Sequence, residues 1–337
     1  MSMLFRPKPP PRKYSGLYEK IKKSGIRLDA LCNVYRGMWT GILHVFIVSE
    51  EEINEYNLEL DALRPILRGK DIGPFRYKWA GKWVIYTNQE NFEERFPNVI
   101  KYLSKWKRVL ERRSAVWIYG RKWWELEDPL EPKMFEVEKI MSPYISKINA
   151  FTYEEGKYYA LDSTAIIRFW FDEEEAKDYF TKWKETNEKD LDVNEIINIG
   201  FNYIKDMGKN KDSLLYLTGL LNSDLMEFFY KLYAPKVTKR GSRRTIGRYF
   251  LYIPPYLNVL PIRISSAEDR REVIDLVKKI SEKAFKLVEL EEESDEKVAL
   301  EEEILSLMAD LNEVVFNIYN LSEDEKATIQ AYVLRRR

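Results

Sequence analysis

The sequence predicts an α+β protein, in which a mixed or antiparallel sheet with packed helices is followed by a C-terminal antiparallel helical hairpin. Up to residue 265, short apolar runs alternate with glycine-containing turns and with helical periodicities. Beyond residue 266, apolar side chains recur at spacings of four and three in two long segments. These patterns divide the chain into an extended, proline-rich arm or linker (1–13), a main α+β domain (14–265) and a supporting or docking hairpin (266–337).

The composition favours a globular protein and excludes several classes. Of 337 residues, 45% are hydrophobic and 14% aromatic, which suffices for a packed core. The only cysteine is Cys32, so neither an intramolecular disulfide nor a cysteine-based zinc site can form. Nothing resembles a signal peptide, and the longest apolar run, 42–48, is too short to span a bilayer. We therefore expect a cytoplasmic protein that contacts no membrane.

The first half of the main domain alternates short strands and helices. Leu28 to Val48 predicts short strands around two glycines, and Ile53 to Leu67 predicts a helix that ends before the Arg68-Gly69-Lys70 turn. Trp79 to Tyr86 alternates as in a hairpin about Gly81. Asn98 to Arg113 has a helical period.

That last helix has a basic face, for which two interpretations stay open. The face can follow a phosphate backbone, or it can be an ordinary solvated surface. Behind it, four aromatic residues lie beside Arg121 and Lys122, and a core edge is favoured there over a base-stacking platform. The basic residues are Lys101, Lys105, Lys107, Arg108, Arg112 and Arg113, and the aromatic ones are Trp117, Tyr119, Trp123 and Trp124.

The second half of the domain leads to a cationic loop. Ile140 to Phe169 predicts strands around the Gly156 turn, and Glu173 to Lys184 predicts a charged helix. Leu214 to Leu232 carries one apolar helical face, interrupted at Asn222-Ser223 where Ser223 can cap a second segment. A strand-like run from Arg248 to Ile253 follows the loop.

Between Pro235 and Arg248 the loop contains basic residues and no acidic one. Such a loop can hold several guanidinium groups against phosphates and base edges, although a solvated basic loop is the simpler alternative. We expect the arginines at 243 and 244 to discriminate between bases more than the lysines do, because arginine can bond two acceptors of guanine. The basic residues are Lys236, Lys239, Arg240, Arg243, Arg244 and Arg248.

The tail is acidic and helical. Residues 266–337 hold 11 Lys and Arg against 19 Asp and Glu, a net charge of −8, so the overall net charge of zero leaves +8 for the preceding residues. Val273 to Leu287 and Ile304 to Ile318 predict two antiparallel helices, and Ser322 with Glu325 predicts a capping box that starts a third. The acidic charge favours contact with another protein over contact with DNA.

Several motifs together resemble a known family, the TaqI-type C-terminal specificity domain. This is the target-recognition domain of adenine-specific DNA methyltransferases and of type IIG restriction enzymes. The likeness covers roughly residues 25 to 330. The segments that carry it are Gly37-Met38-Trp39-Thr40-Gly41 leading to Phe46, Leu63 to Ile72 (similar to R-P-x-L-R-G-x-D-I), Pro97-Asn98 with Tyr102-Leu103, Trp123 to Leu126, Ala150 to Tyr153, and Leu214 to Ile262.

Residues that an enzyme would need are missing from the sequence. His44, the only histidine, lies in an apolar, strand-like run and is predicted to be a core residue, so no histidine-dependent nucleophile is assembled. No G-x-G-x-x-G or Walker loop follows a strand. Ile253 precedes Pro254-Pro255-Tyr256 where amino-group methyltransferases use Asn or Asp, and no nuclease metal motif occurs. We expect no catalysis, no cofactor and no metal site.

The resemblance implies sequence-specific recognition of duplex DNA for a restriction-modification methyltransferase or endonuclease. The expected partners are double-stranded DNA and a methyltransferase or nuclease domain or subunit. A complete enzyme with an unrecognised site and a helical protein-interaction scaffold remain as alternatives. The candidate DNA contacts are Arg68, Lys70, Arg76 and Lys78, which flank the motif turn, and Lys236, Lys239, Arg240, Arg243, Arg244 and Arg248 in the cationic loop.

Overall fold

A computed structural model describes residues 7–238, 245–290 and 294–335. The strands are β1 (Ile26–Arg27), β2 (Cys32–Arg36), β3 (Ile47–Ser49), β4 (Leu63–Leu67), β5 (Ile72–Gly73), β6 (Arg76–Tyr77), β7 (Lys82–Ile85), β8 (Lys139–Pro143), β9 (Ile145–Ser146), β10 (Thr152–Glu154), β11 (Tyr159–Ala160), β12 (Thr164–Phe169), β13 (Lys236–Thr238), β14 (Thr245–Leu251) and β15 (Pro261–Ile262). The helices are α1 (Ser15–Lys23), α2 (Leu28–Leu31), α3 (Leu43–Phe46), α4 (Glu50–Tyr56), α5 (Phe92–Arg95), α6 (Pro97–Ser104), α7 (Lys107–Leu110), α8 (Ser114–Trp117), α9 (Glu173–Thr186), α10 (Val193–Met207), α11 (Lys211–Asn222), α12 (Asp224–Tyr233), α13 (Pro254–Leu257), α14 (Ala267–Leu287), α15 (Asp295–Ile318) and α16 (Glu323–Leu334).

The strands form several small sheets, which confirms the predicted α+β class. An antiparallel sheet has the order β10-β8-β12-β2, and a mixed sheet has the order β11-β4-β7-β3. A third sheet, β13-β14-β9, joins the strands on either side of the cationic loop to β9. The motif turn at 68–71 and the loop strands therefore belong to different sheets, and their meeting has to come from tertiary packing.

The antiparallel sheet separates two hydrophobic cores. Ile140 and Ile167 belong to one core, whereas their neighbours Met141 and Ile166 belong to the other. Successive side chains of a strand point to opposite faces, so β8 and β12 contribute to both cores at once. Cys32, at the start of β2, is fully buried in the first core as a free thiol, and burial raises its pKa.

The helix pair α11 and α12 lies at the centre of the first core, and the break between its helices is confirmed. Ser223 caps α12 by accepting a hydrogen bond from the Met226 amide at 3.3 Å. Asn222, the last residue of α11, exchanges two hydrogen bonds with the backbone of Phe151. Every residue from 213 to 234 is buried, so the pair is enclosed on all sides and not on one face alone.

The tail forms the predicted hairpin of α14 and α15. Lys286 pairs with Glu296 and Lys283 with Glu303 across the two helices. Helix α14 packs tightly on α11 at Gly219, where a Cβ would lie only 2.6 Å from a methyl of Val273. The capping box of Ser322 and Glu325 is present at the start of α16.

Two element predictions in the first half are wrong. The run 53–67 is not one helix: α4 begins at Glu50, and Asn57 ends it in the left-handed conformation with φ 50°. Leu63–Leu67 is instead a strand, β4, paired with β7 and β11. In the run 79–86 only Lys82–Ile85 is a strand, and it pairs with β3 and β4 rather than with the residues before Gly81. Non-local pairing decides both outcomes.

Short helices, α2 and α3, interrupt the strands that were predicted between Leu28 and Val48. His44 lies on α3 and is exposed, so the prediction of a core histidine in a strand is wrong. Its ring contacts the Trp106 ring edge-on, with centroids 5.2 Å apart. The exposed histidine thus has an aromatic neighbour and no nucleophile beside it among the contacts of the described residues.

Candidate nucleic-acid interface

An open groove of about 840 Å³ lies where the motif turn meets the strands β9 and β14. We call it the β14 groove. Lys70 of the turn lines it on one side, and Lys147 and Tyr249 line it from the β9–β14 side. Asp162 and Arg36, which form an ion pair at 3.0 Å, complete the wall between them. The fold therefore joins two regions that are distant in sequence and that separately carried the family likeness.

The turn presents Lys70 because its neighbours are held in place. The Arg68 guanidinium donates to both carboxylate oxygens of Asp71, at 2.8 and 2.9 Å, and the Arg68 amide also donates to Asp71. A Cβ at Gly69 would lie 2.4 Å from the Ser163 carbonyl oxygen, so a glycine is required there. Arg68 is thus occupied in shaping the turn, and the exposed cation offered to a ligand is Lys70.

The β13–β14 hairpin carries polar side chains on both of its faces. Phe250 is buried and pairs with Ser146 of β9, which fixes the hairpin to the domain. Tyr249 faces the groove, with Lys147 Nζ 5.1 Å from its ring centre. Lys236 lies opposite Phe250, with Nζ 5.6 Å from that ring, and Arg248 is two residues before Phe250. Strand alternation therefore places these two exposed cations on the face away from Tyr249.

The other cationic candidates of this loop, Lys239, Arg240, Arg243 and Arg244, lie outside the residues that the structure describes. The strands before and after them are β13 and β14. Their role in DNA contact stays a prediction.

Arg76 and Lys78 lie at a different place, the contact between β6 and the tail. The Tyr77 ring meets the Phe285 ring of α14 at 5.1 Å, and Lys78 Nζ donates to the Val288 carbonyl at 2.9 Å. Arg76 is half-buried, burial lowers its pKa, and no carboxylate within the described ranges pairs with it. Neither cation lines the β14 groove.

The basic helix of the first half is divided into α6 and α7, and one of its cations is not on the surface. Arg113 is buried and donates to the carbonyls of Thr40, Trp123 and Glu125, so neither the phosphate-following nor the solvated interpretation holds for this residue. A planar donor group that serves three carbonyls is a structural clamp. The remaining basic residues are exposed: Lys101, Lys105, Lys107, Arg108 and Arg112.

The aromatic cluster behind that helix has two environments. Trp124 is 4% exposed and stacks on Phe92 at 4.9 Å, as a core-edge residue does. Trp117 and Tyr119 are 79% and 69% exposed, so the core-edge prediction is wrong for them. Trp117 is the last residue of α8 and Tyr119 lies two residues beyond it, so both are at the end of this short helix.

A second cavity, of about 350 Å³, adjoins the groove and shares Arg36 and Tyr144 with it. Pro254 and Pro255 form part of its wall. Ile253 is buried and apolar, so this Pro-Pro-Tyr segment presents no acceptor at the position where amino-group methyltransferases have one. Burial raises the pKa of Tyr144.

Lys147, Tyr249 and Arg36 were missed by sequence reasoning. The signal that could have found Tyr249 is strand alternation in the run that follows the cationic loop. The pairing of β14 with β9, which brings Lys147 beside it, is non-local and leaves no trace in either segment. Within the described residues, no helix is long and apolar enough to cross a membrane, and no three clustered His, Cys, Asp or Glu side chains could hold a metal ion.

No known family model matches the chain. Its structure is similar to that of the type IIL restriction-modification enzyme MmeI, which was solved in complex with DNA. The TM-score is 0.55 at 11% sequence identity, and the match covers 92% of this chain and 36% of the MmeI chain. The type IIG restriction endonuclease BpuSI is matched at a TM-score of 0.43 and 11% identity, over 90% of this chain and 33% of that one. The chain therefore shares its fold with part of MmeI and spans about a third of that enzyme's length.

Proposed function

We propose that this chain recognises a specific sequence in duplex DNA for a restriction-modification system of the adenine-specific, type IIG class. The fold shared with part of MmeI, the motifs similar to the TaqI-type specificity domain and the +8 charge before residue 266 support the proposal. The β14 groove is the observation that carries it, because it unites the motif turn with the strands of the cationic loop.

In this proposal the β13–β14 hairpin enters the major groove of DNA. A two-stranded β-ribbon fits the major groove, which is about 12 Å wide. Lys236 and Tyr249 lie on opposite faces of the ribbon, so in this arrangement they face opposite walls of the DNA groove. Lys70 and Lys147 flank the ribbon and bind phosphates, while Arg243 and Arg244 read base edges.

The chemistry belongs to a separate methyltransferase or nuclease part, in the cytoplasm, to which the acidic tail docks. The sequence offers no cofactor loop and no Asn or Asp before Pro254-Pro255-Tyr256. A chain that spans 36% of MmeI leaves room for such a part elsewhere, in the same polypeptide or in another.

The test is selection of duplexes from a randomised pool, followed by competition titrations at two salt concentrations. Lys70→Ala combined with Lys147→Ala should weaken binding to selected and scrambled duplexes alike. The slope of log affinity against log salt concentration should become shallower by about 0.9 per lost phosphate contact. Arg243→Ala should instead flatten the difference between the duplexes, by about 1 to 3 kcal/mol. Lys23→Ala, an exposed cation on α1, serves as the control.

Failure to enrich any duplex would contradict the proposal, as would a groove variant that binds like the control. The same preparation, supplied with S-adenosylmethionine and Mg²⁺, should leave the duplex unmethylated and uncut. Turnover that follows the protein through purification would favour the alternative of a complete enzyme.

A further inference from the structure

Three consecutive apolar side chains protrude from the protein at the end of α8. Trp117, Ile118 and Tyr119 are 79%, 70% and 69% exposed. Single exposed apolar residues need no explanation, but three adjacent large ones form a patch that a folded protein normally covers. We call this segment the aromatic tip.

The aromatic tip is mounted on a fixed base. Ala115 is fully buried, and Ser114 donates to the buried carboxylate of Glu127. The Arg121 amide donates to the Ala115 carbonyl at 3.0 Å, which closes the loop behind the tip, and Gly120 allows the turn with φ 64°. The protrusion is therefore built into the loop geometry and does not depend on the rotamer of one side chain.

The segment that carries the tip is cationic, and the acidic side chains Glu93, Glu125 and Glu127 lie against it. Residues 97–124 contain eight Lys and Arg side chains and a single acidic one, Glu111. Arg113 and Lys122 are paired with Glu127 and Glu93, and Lys107 with Glu111. The Arg121 Nε is buried, with no acceptor among the described residues. A polyanion therefore matches this surface better than a neutral or acidic protein does.

The aromatic tip is connected to the β14 groove through one short segment. Arg36 lines the groove, Trp39 three residues later is 49% exposed, and the Thr40 carbonyl accepts from Arg113 at the base of α8. The path from groove to tip runs along residues 36–40, through the Arg113 side chain and along one turn of α8. Its length gives an upper limit of about 30 Å for the distance between groove and tip. One duplex of about nine base pairs spans that distance.

We propose that the aromatic tip inserts between stacked base pairs of the DNA that occupies the β14 groove and bends it. Apolar side chains that enter a base step partly unstack it and kink the duplex. Exposed cations of α7 and of the turn that follows it, such as Arg108 and Arg112, bind the phosphates that the kink brings closer. This inference rests on the proposed recognition of duplex DNA, and it adds a contact that distorts the helix.

The experiment uses the full chain and a selected duplex in which 2-aminopurine replaces one base at a time. Wild-type protein should raise 2-aminopurine fluorescence at one step, and energy transfer between dyes at the duplex ends should increase as the DNA bends. Trp117→Ala combined with Ile118→Ala and Tyr119→Ala should abolish both signals and weaken binding about tenfold. Trp117→Phe alone, with Ile118 and Tyr119 unchanged, should keep part of both signals.

Leu305→Ala is the matched control, since Leu305 is 65% exposed on the acidic hairpin and its loss should change neither signal. Because the tip side chains are exposed, circular dichroism and the unfolding midpoint should be unchanged in all variants. The insertion of the aromatic tip would be contradicted if the duplex bound without unstacking, or if the variant with all three substitutions still unstacked it. Either result would leave the proposed DNA recognition standing. No duplex binding at all would overturn both. Tip-dependent binding to phosphatidylglycerol vesicles in place of DNA would assign the tip to a lipid surface and would also contradict its insertion into DNA.

Discussion

At the scale of single residues, the buried ion pair of Lys139 and Glu154 organises the turn at Gly156. Both side chains are fully buried. The Glu154 carboxylate also accepts from the amides of Gly156, Lys157 and Tyr158 at 2.7 to 3.1 Å, and Lys139 donates to the Phe135 carbonyl at 2.5 Å. Burial lowers the pKa of Lys139, although Glu154 acts in the opposite direction. Lys139 therefore depends on the Glu154 carboxylate to remain charged inside the protein.

Glu154→Gln should lower the free energy of unfolding by about 3 to 5 kcal/mol, because it leaves the Lys139 ammonium buried without a counter-charge. Urea unfolding followed by tryptophan fluorescence measures the change. Glu155→Gln, at the exposed neighbouring position, should change stability by less than about 0.5 kcal/mol. Equal stability of the two variants would show that the pair is not needed for folding.

The environments of three basic residues could not be predicted from the sequence. Arg68, Lys70 and Arg113 all belong to basic segments, yet only Lys70 is offered to solvent at the groove. Arg68 instead donates to Asp71, three residues away, and Arg113 donates to the Thr40 carbonyl, which is distant in sequence. Charge could be predicted from the sequence, but the availability of each charge could not.

At the scale of elements, a close contact between two helices of the first core passes through a glycine. Gly200 of α10 packs on α2, and a Cβ built there would lie 1.9 Å from the Ala30 carbonyl oxygen. A backbone atom cannot move away as a flexible side chain can. In contrast, a Cβ at Gly16 of α1 would meet nothing within 4 Å.

Gly200→Ala and Gly16→Ala should therefore change stability in opposite directions. The first should destabilise the protein by about 1 to 3 kcal/mol or more, because α10 and α2 are forced apart. The second should stabilise it by about 0.5 kcal/mol, because alanine restricts the unfolded chain and favours the helix. Thermal unfolding of both variants beside the wild type is the measurement. A stabilised Gly200→Ala protein would mean that α10 moves freely on α2.

Helices with caps and a sustained period were predictable, and short strands were not. Ser223 and Ser322 carry the cap signal in the local sequence, and both helices begin where that signal lies. Leu63–Leu67 contains one local signal against a helix, Pro65, but its apolar residues do not specify a strand or its partners, which pairing with β7 and β11 supplies. Such partners lie about 20 to 95 residues away along the chain, beyond what a local pattern contains.

At the scale of the whole molecule, charge is divided between a basic body and an acidic tail. Converting Glu301 and Glu302 to lysine changes the tail charge by four units without breaking an ion pair, whereas Glu303 pairs with Lys283 and is left unchanged. If the tail faces away from DNA, duplex affinity should stay nearly constant or rise slightly, and the rise should disappear at high salt. Fluorescence anisotropy at two salt concentrations tests this. A large loss of affinity with the fold intact would place the tail on the DNA.

The candidate site was predictable in its parts but not in its assembly. The motif turn and the cationic loop were both visible in the sequence. Their convergence on the β14 groove depends on β9 pairing with β14 and on the turn packing against Ser163. Arg76 and Lys78 follow the same motif by a few residues, yet β6 carries them to the tail. Proximity in sequence to a motif was therefore a poor guide to proximity in space.

Cys32, the single and fully buried thiol, makes this protein well suited to site-specific labelling. Its sulfur is inaccessible and its pKa is raised, so thiol reagents would leave it untouched while the fold is intact. A cysteine introduced at an exposed position such as Lys70 or Tyr119 would then be the one reactive thiol, with no need to remove the native one. Spin labels or dyes at those two positions would measure the distance between groove and tip in the free protein.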